Sequence, residues 1–341
     1  MSRKAVLAAA AATLMAAAPA VASDSPVALI IAQGGLGDGS WNDTAHAGFQ
    51  AGLESTGLRG RPIESNDVVG QGEEMMRRSA DAGFGLVISL EWVHGEPMEV
   101  VARDHPDTNW AIFNQEREGE NIASVVFAEH EGSYLAGMLA AMVTTDDSIP
   151  GINPEPIIGV IGAVKSPGID KFISGYIEGA RAVNPEIEVL VAYSETFGDP
   201  ARGEQMANAM FERGADIIYH VAGGTGIGVI RAAEAAGRFA IGVDTDQDSM
   251  APGHVLTSMV KRVDIATQQL IEAHAEGSFP GGETLDFGLA QNGVGLSEMR
   301  YTRDMIPAEY LQRVAEAQQA IIDGSIEVWD VSSQGYPDFF N

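Results

Sequence analysis

Val27-Ala28-Leu29-Ile30-Ile31-Ala32, followed by Gly34-Gly35-Leu36-Gly37-Asp38-Gly39-Ser40-Trp41, is the stretch on which the architecture turns. Six consecutive apolar residues without polar alternation read as a strand buried on both faces, as in a parallel sheet. The glycine-rich turn then feeds a run of helical spacing over 42–57. The same order recurs downstream. Strands are expected at 85–90, 110–113, 123–127, 157–161, 188–193, 217–221 and 239–243, and helices at 95–104, 131–144, 169–183, 201–213 and 227–236. A polar break at 144–151 separates two such series. Alternation of this kind predicts an α/β fold of two doubly wound parallel-sheet lobes. Beyond 254 come a strand-like run at 255–259, a helix at 264–276, a strand-like run at 284–290 and a last helix at 307–323. These are too few for a third lobe and are expected to complete the first two. The expected division is an N-terminal lobe of 23–128 plus about 256–288, and a C-terminal lobe of about 129–255 plus 289–341, with a cleft between them.

The 341 residues are 45% hydrophobic and 20% charged, a globular composition. A net charge of −28 repels a phosphate backbone and argues against nucleic-acid binding. The absence of cysteine excludes disulfides, thiolate metal sites, cysteine nucleophiles and lipidation at cysteine. Residues 1–22 carry Arg3 and Lys4, then an Ala/Leu/Met-rich run, then Ala20-Val21-Ala22. That is the pattern of a cleavable signal peptide, with a mature chain expected from Ser23. The product is expected to be periplasmic, a monomer, and not anchored in the membrane.

In open parallel sheets, ligands bind in the loops after the strands. Those loops hold aromatic faces (Trp41, Trp92, Phe197), polar groups (Asn42, Asp43, Asn114, Asp244) and a glycine cluster (Gly223, Gly224). Flat faces with carboxylates suit a flat, uncharged, polyhydroxylated ligand, because a carboxylate accepts vicinal hydroxyl protons. Each residue has a plainer role open to it. Trp41 suits packing beneath the first helix, Asp43 a helix cap, Asp244 a turn and Lys261 a solvated edge. Sharper motifs fail. Gly224-Thr225-Gly226-Ile227-Gly228 has Val229 where a dinucleotide fingerprint has its third glycine. Asp244-Thr245-Asp246-Gln247-Asp248 lacks the glycine and glutamate of a calcium loop. With no nucleophile–base pair and no complete cofactor motif, the chain is expected to be a binding protein without a cofactor or metal, not an enzyme.

The run Gly34 to Asp43, GGLGDGSWND, resembles the signature of the basic membrane protein family, the purine nucleoside receptors of ABC importers, in which it reads GGLGDKSFND. Five further segments are similar to the family's motifs, in order. They are EGSYLAG at 131–137, Lys171-Phe172 with Gly175-Tyr176 and Gly179-Ala180, AGGTG at 222–226, GVDTDQ at 242–247 and SMVKRVD at 258–264. The resemblance implies a type I periplasmic-binding fold with three crossovers that closes on its ligand. It also implies a purine nucleoside as ligand and an inner-membrane ABC permease as partner. Carried over residue by residue, Trp41 stacks on the purine and Asn42 and Asp43 read the base edge. Phe197 closes the sandwich, the Gly223-Gly224 backbone lines the site, and Asp244 and Lys261 bind the ribose. Two departures bear on the ligand. Asn114 stands where members often have Asp, and Trp41 replaces Phe. Riboflavin or a free purine base are the alternatives these departures leave open.

Overall fold

The computed structural model describes residues 23–340; the signal-peptide reading falls on residues outside that range. The first series runs β1 (Val27–Ile30), α1 (Trp41–Thr56), β2 (Gly60–Ile63), α2 (Gly72–Asp81), β3 (Leu86–Ser89), α3 (Gly95–Asp104), β4 (Asn109–Phe113) and β5 (Ile122–Phe127). The second runs α4 (Glu129–Val143), β6 (Ile157–Gly162), α5 (Pro167–Val183), β7 (Glu188–Tyr193), α6 (Pro200–Glu212), β8 (Ile217–Val221), α7 (Thr225–Ala236), β9 (Phe239–Asp244) and β10 (Val255–Lys261). The tail adds α8 (Val263–Glu276), β11 (Thr284–Phe287), β12 (Val294–Leu296), α9 (Ala308–Ile322) and the short α10 (Val331–Gln334). Two six-stranded sheets result, ordered β11-β5-β4-β3-β1-β2 and β12-β10-β9-β8-β6-β7. Every pairing is parallel except β10 with β12. The central strands β1, β3, β8 and β9 are buried along their whole length, as their unbroken apolar runs require.

The chain crosses between the sheets at 127–129, at 261–263 and between β11 and β12. These three crossings match the architecture that the resemblance implies. One boundary is corrected. The passage back to the first lobe, expected at 255–256, falls at Arg262. Val255–Lys261 pairs with β9 on one side and β12 on the other, so it belongs to the second sheet. Only after it does α8 pack against α1. A strand-like run does not state which sheet it joins. Three elements lack a sequence signal. Edge strand β2 is half-exposed and carries glycine and proline, α2 is short and polar, and β12 has three residues.

The family-like glycines of the second lobe have a packing cause. Helix α4 is buried nearly all round and lies against α5 with backbones almost touching. A Cβ on Gly179 would sit 2.0 Å from the Tyr134 carbonyl oxygen, and one on Gly137 2.0 Å from that of Tyr176. Helix propensity alone makes Gly179→Ala stabilising by about 1 kcal/mol. Overpacking costs roughly 1–3 kcal/mol, and more where the obstacle is backbone. The second effect wins here, so Gly179→Ala is expected to lower the thermal midpoint of the purified protein. A raised midpoint would show that the α4–α5 crossing relaxes freely.

Candidate functional site

The carboxyl ends of both sheets open toward one cavity of about 310 Å³ between the lobes. The repeated strand order puts corresponding positions opposite each other. Asn114 follows β4, the fourth strand of its sheet counted from the β2 edge, and Asp244 ends β9, the fourth counted from β7. Both have left-handed backbones, with φ of 64° and 66°. Asn and Asp tolerate that conformation better than other side chains, and it marks a chain turning sharply off a strand end. Both residues line the cavity.

A buried lysine organises the floor. Lys261 is 1% exposed, and its ammonium donates to Asn114 Oδ1 at 2.7 Å and to Glu129 Oε1 at 2.6 Å. The same nitrogen lies 4.5 Å from the Trp41 ring centre and 4.6 Å from that of Phe127, a cation–π arrangement. Two of its three N–H donors are committed, leaving one for a ligand. Burial would raise the pKa of the Glu129 carboxyl, but Lys261 and Lys171 outweigh it and hold the group at about 2. Lys171 completes the chain of charges at 3.2 Å from Glu129 Oε2.

The walls are acidic. Burial pushes the Asp244 carboxyl up to about 6, against the pull of Lys261 and a hydrogen bond from Ser40. Burial likewise raises Asp38 above the ordinary carboxylate value, although it accepts from the backbone N–H groups of Ser40, Asn42 and Asp43. Besides the bond from Lys261 to Asn114, two hydrogen bonds from the glycine-rich loop tie the lobes directly. Ser40 Oγ donates to Asp244 Oδ2 at 2.5 Å, and Gln247 Nε2 donates to the Gly39 carbonyl at 2.9 Å. The lobes are therefore in contact across the cleft.

Of the residues singled out from the sequence, Trp41, Trp92, Asn114, Phe197, Gly223, Asp244 and Lys261 line this cavity. Trp92 stands at the rim, 52% exposed. Asn42, Asp43 and Gly224 do not line it, which corrects their expected place. Asn42 Oδ1 accepts from Ala32 N, and its Nδ2 donates to Gln33 O and Asp38 Oδ2. The Asp43 carboxylate is spent on the N–H groups of Gly37 and Gly39. Both side chains shape the glycine-rich loop. Gly224 precedes α7, behind Gly223. The sequence reading missed Asp38, Glu91 and Phe172, which also line the cavity. The signal for Asp38 was its place before Gly39-Ser40-Trp41, where a short acceptor can cap the helix that follows. Phe172 was noted only as part of a family motif on α5.

Among the described residues no helix is long and apolar enough to cross a membrane, and no cluster of metal-ligating side chains occurs. The family described as Bmp, ABC transporter substrate-binding protein PnrA-like, matches residues 25–332. A protein of Listeria monocytogenes named CD4+ T-cell-stimulating antigen is 31% identical over 326 residues, covering 89% of this chain and 88% of the relative. The ABC transporter nucleoside-binding protein BmpA of Lactococcus lactis is 29% identical over 329 residues, covering 90% of each. Among solved structures, an ABC transporter solute-binding protein from Aeropyrum pernix K1 superposes with a TM-score of 0.83 at 25% identity, covering 91% of this chain and 94% of its own. An arabinose-binding protein from Geobacillus stearothermophilus, at 11% identity and a TM-score of 0.60, shares the fold alone. A cleft between two parallel-sheet lobes and a match over nearly the whole described chain lead to one conclusion: this chain belongs to the PnrA-like, basic membrane protein family of ABC transporter substrate-binding proteins.

Proposed function

We propose that the protein captures a purine nucleoside in the interlobe cavity, in the periplasm, and delivers it to an inner-membrane ABC permease. The observation that carries this reading is the pairing, in one small cavity, of aromatic faces from both lobes with buried acceptors. Trp41 comes from the first lobe, and Phe172 and Phe197 come from the second. Asp38, Glu91 and Asp244 supply carboxylates, and Lys261, the one cation among the described lining residues, is already paired. A flat heteroaromatic ring with neutral hydroxyls satisfies such a lining. A phosphorylated or carboxylated ligand meets like charge instead. The volume lies at the low end of the roughly 300–1,000 Å³ usual for small-molecule pockets. In this reading the base stacks on Trp41 and Phe197. The ribose hydroxyls donate to the free oxygen of Asp244 and accept the remaining N–H of Lys261.

Three outcomes follow from this arrangement. In a thermal-shift screen, inosine, guanosine or adenosine is expected to raise the melting temperature and ribose alone to leave it unchanged, because a ligand that binds only the native state stabilises it by mass action. Stabilisation by riboflavin or a free base alone would overturn the nucleoside assignment. Base–aromatic stacking is worth roughly 1–3 kcal/mol per base. Trp41→Ala is therefore expected to weaken binding by calorimetry at least about fivefold, and Trp41→Phe to restore most of it. Equal affinity in all three proteins would remove Trp41 from the site. Asp244 ionises in the folded protein near pH 6, so its carboxylate is lost as the pH falls through that value. Since the ionised Asp244 carboxylate is the stronger acceptor of ligand hydroxyl protons, affinity is expected to drop between pH 7.5 and pH 5. A flat profile would show that Asp244 does not serve as the acceptor.

A further inference from the structure

The second lobe contains a buried carboxylate that the ligand cavity does not use. Asp170 is fully buried in the first turn of α5, where a negative charge is favoured by the helix dipole. Its two oxygens are taken by two tyrosines from different parts of the chain. Tyr193, the last residue of β7, donates to Oδ1 at 2.5 Å, and Tyr336 donates to Oδ2 at 2.7 Å. Burial and the carboxylate itself push the Tyr336 hydroxyl up to about 12 and Tyr193 higher still, so both remain donors at neutral pH.

What these three residues join is the reason to single them out. Asp170 follows a segment whose Ser166, Gly168 and Ile169 line the cavity, and it precedes Phe172, which lines it too. Lys171 beside it turns the other way, to Glu129 and the Phe127 carbonyl at the first crossover. Tyr193 leads directly into 194–197, the loop that carries Phe197. Gly162 is wedged between the two segments, and a Cβ there would lie 2.9 Å from Ile169 and 3.0 Å from Tyr193. One carboxylate thus ties together two of the segments on the second lobe's side of the cavity, the start of α5 and the loop after β7.

Tyr336 brings a third segment to the same point. It lies beyond residue 332, where the family match stops. The C-terminal segment runs along α5 as a strap. The Trp329 N–H donates to Glu178 at 2.9 Å, Asp330 stands 3.9 Å from Lys171, and the Arg181 guanidinium sits 5.7 Å over the Phe339 ring. We propose that Asp170 is a positioning residue for the ligand, and that the C-terminal strap, through Tyr336, restrains the start of α5, which carries Ile169 and Phe172, and the loop that carries Phe197, and so slows ligand release. The proposal rests on the reading of the interlobe cavity as the ligand site.

Tyr336→Phe removes the hydroxyl and leaves the buried carboxylate and the ring packing in place. Tyr310→Phe is the matched control, since Tyr310 makes the same kind of bond to Asp146 at 3.1 Å on another part of the lobe. Hydrogen–deuterium exchange of the unliganded protein reads the restraint without any ligand, and stopped-flow tryptophan fluorescence with inosine reads the release rate. Tyr336→Phe is expected to speed exchange in 162–173 and 193–198 at least about threefold and to lower the melting temperature modestly, since it leaves one oxygen of a buried carboxylate without its partner. Release is expected to quicken roughly three- to tenfold, the scale of one ordinary lost hydrogen bond, because only part of the restraint acts on the ligand. The control should change neither. Wild-type exchange in those segments would overturn the restraint, and faster exchange with unchanged release would overturn the positioning role. If the wild-type protein binds no nucleoside, the functional reading fails, and the exchange result still decides whether Tyr336 holds these loops.

Discussion

The contact between Lys261 and Glu129 is the constraint around which the cleft is arranged. A lone ammonium buried this deeply is strongly disfavoured, and removing one partner of a buried pair typically costs roughly 3–5 kcal/mol. The lysine therefore obliges its partners to stay where they are. Glu129 starts α4, immediately after the first crossing between lobes, and Lys261 ends β10, immediately before the second. Their 2.6 Å contact staples two hinge strands together. Asn114 adds a hold from the first lobe, and the Trp41 ring packs over the same ammonium. Hinge integrity and the floor of the ligand cavity thus depend on one side chain.

Around that floor the two lobes repeat one construction. Each sheet presents a left-handed Asn or Asp at the end of its fourth strand, and each contributes aromatic surface to the cavity. Further contacts that join the lobes lie on the glycine-rich loop after β1. Its Gly39 carbonyl and Ser40 hydroxyl reach Gln247 and Asp244, and its Asn42, Asp43 and Asp38 spend their polar atoms holding its own shape. The loop is a built surface that closes against the other lobe. Gln247 has no freedom to do anything else, because its oxygen is taken by His220 and by the Val243 N–H. Asp244 is shared between the Ser40 hydrogen bond across the cleft and the cavity wall.

Much of this was legible from local pattern. The apolar runs specified parallel strands, because a strand covered on both faces has no polar side to show. The repeated series specified two lobes, and seven of the ten residues expected at the site line one cavity. The failures share a cause. Asn42 and Asp43 sit in a loop whose polar atoms satisfy one another, and a short polar side chain reads the same whether it faces a ligand or a neighbouring N–H group. Val255–Lys261 was assigned to the wrong lobe because strand pairing is a long-range choice that no local window contains.

What the sequence by itself determined was therefore the inventory: strand and helix types, the glycines that let α4 and α5 approach, the net acidity, and the chemical classes in the loops after each strand. What only the tertiary structure decided was partnership. Lys261 buried against Glu129, and Asp170 clasped by Tyr193 and Tyr336, depend on contacts between residues 23 to 166 positions apart. The physical reason is that burial changes what a polar group must do. Once water is excluded, each charge and hydroxyl has to find its partner in the fold, and the fold determines which partners come within reach.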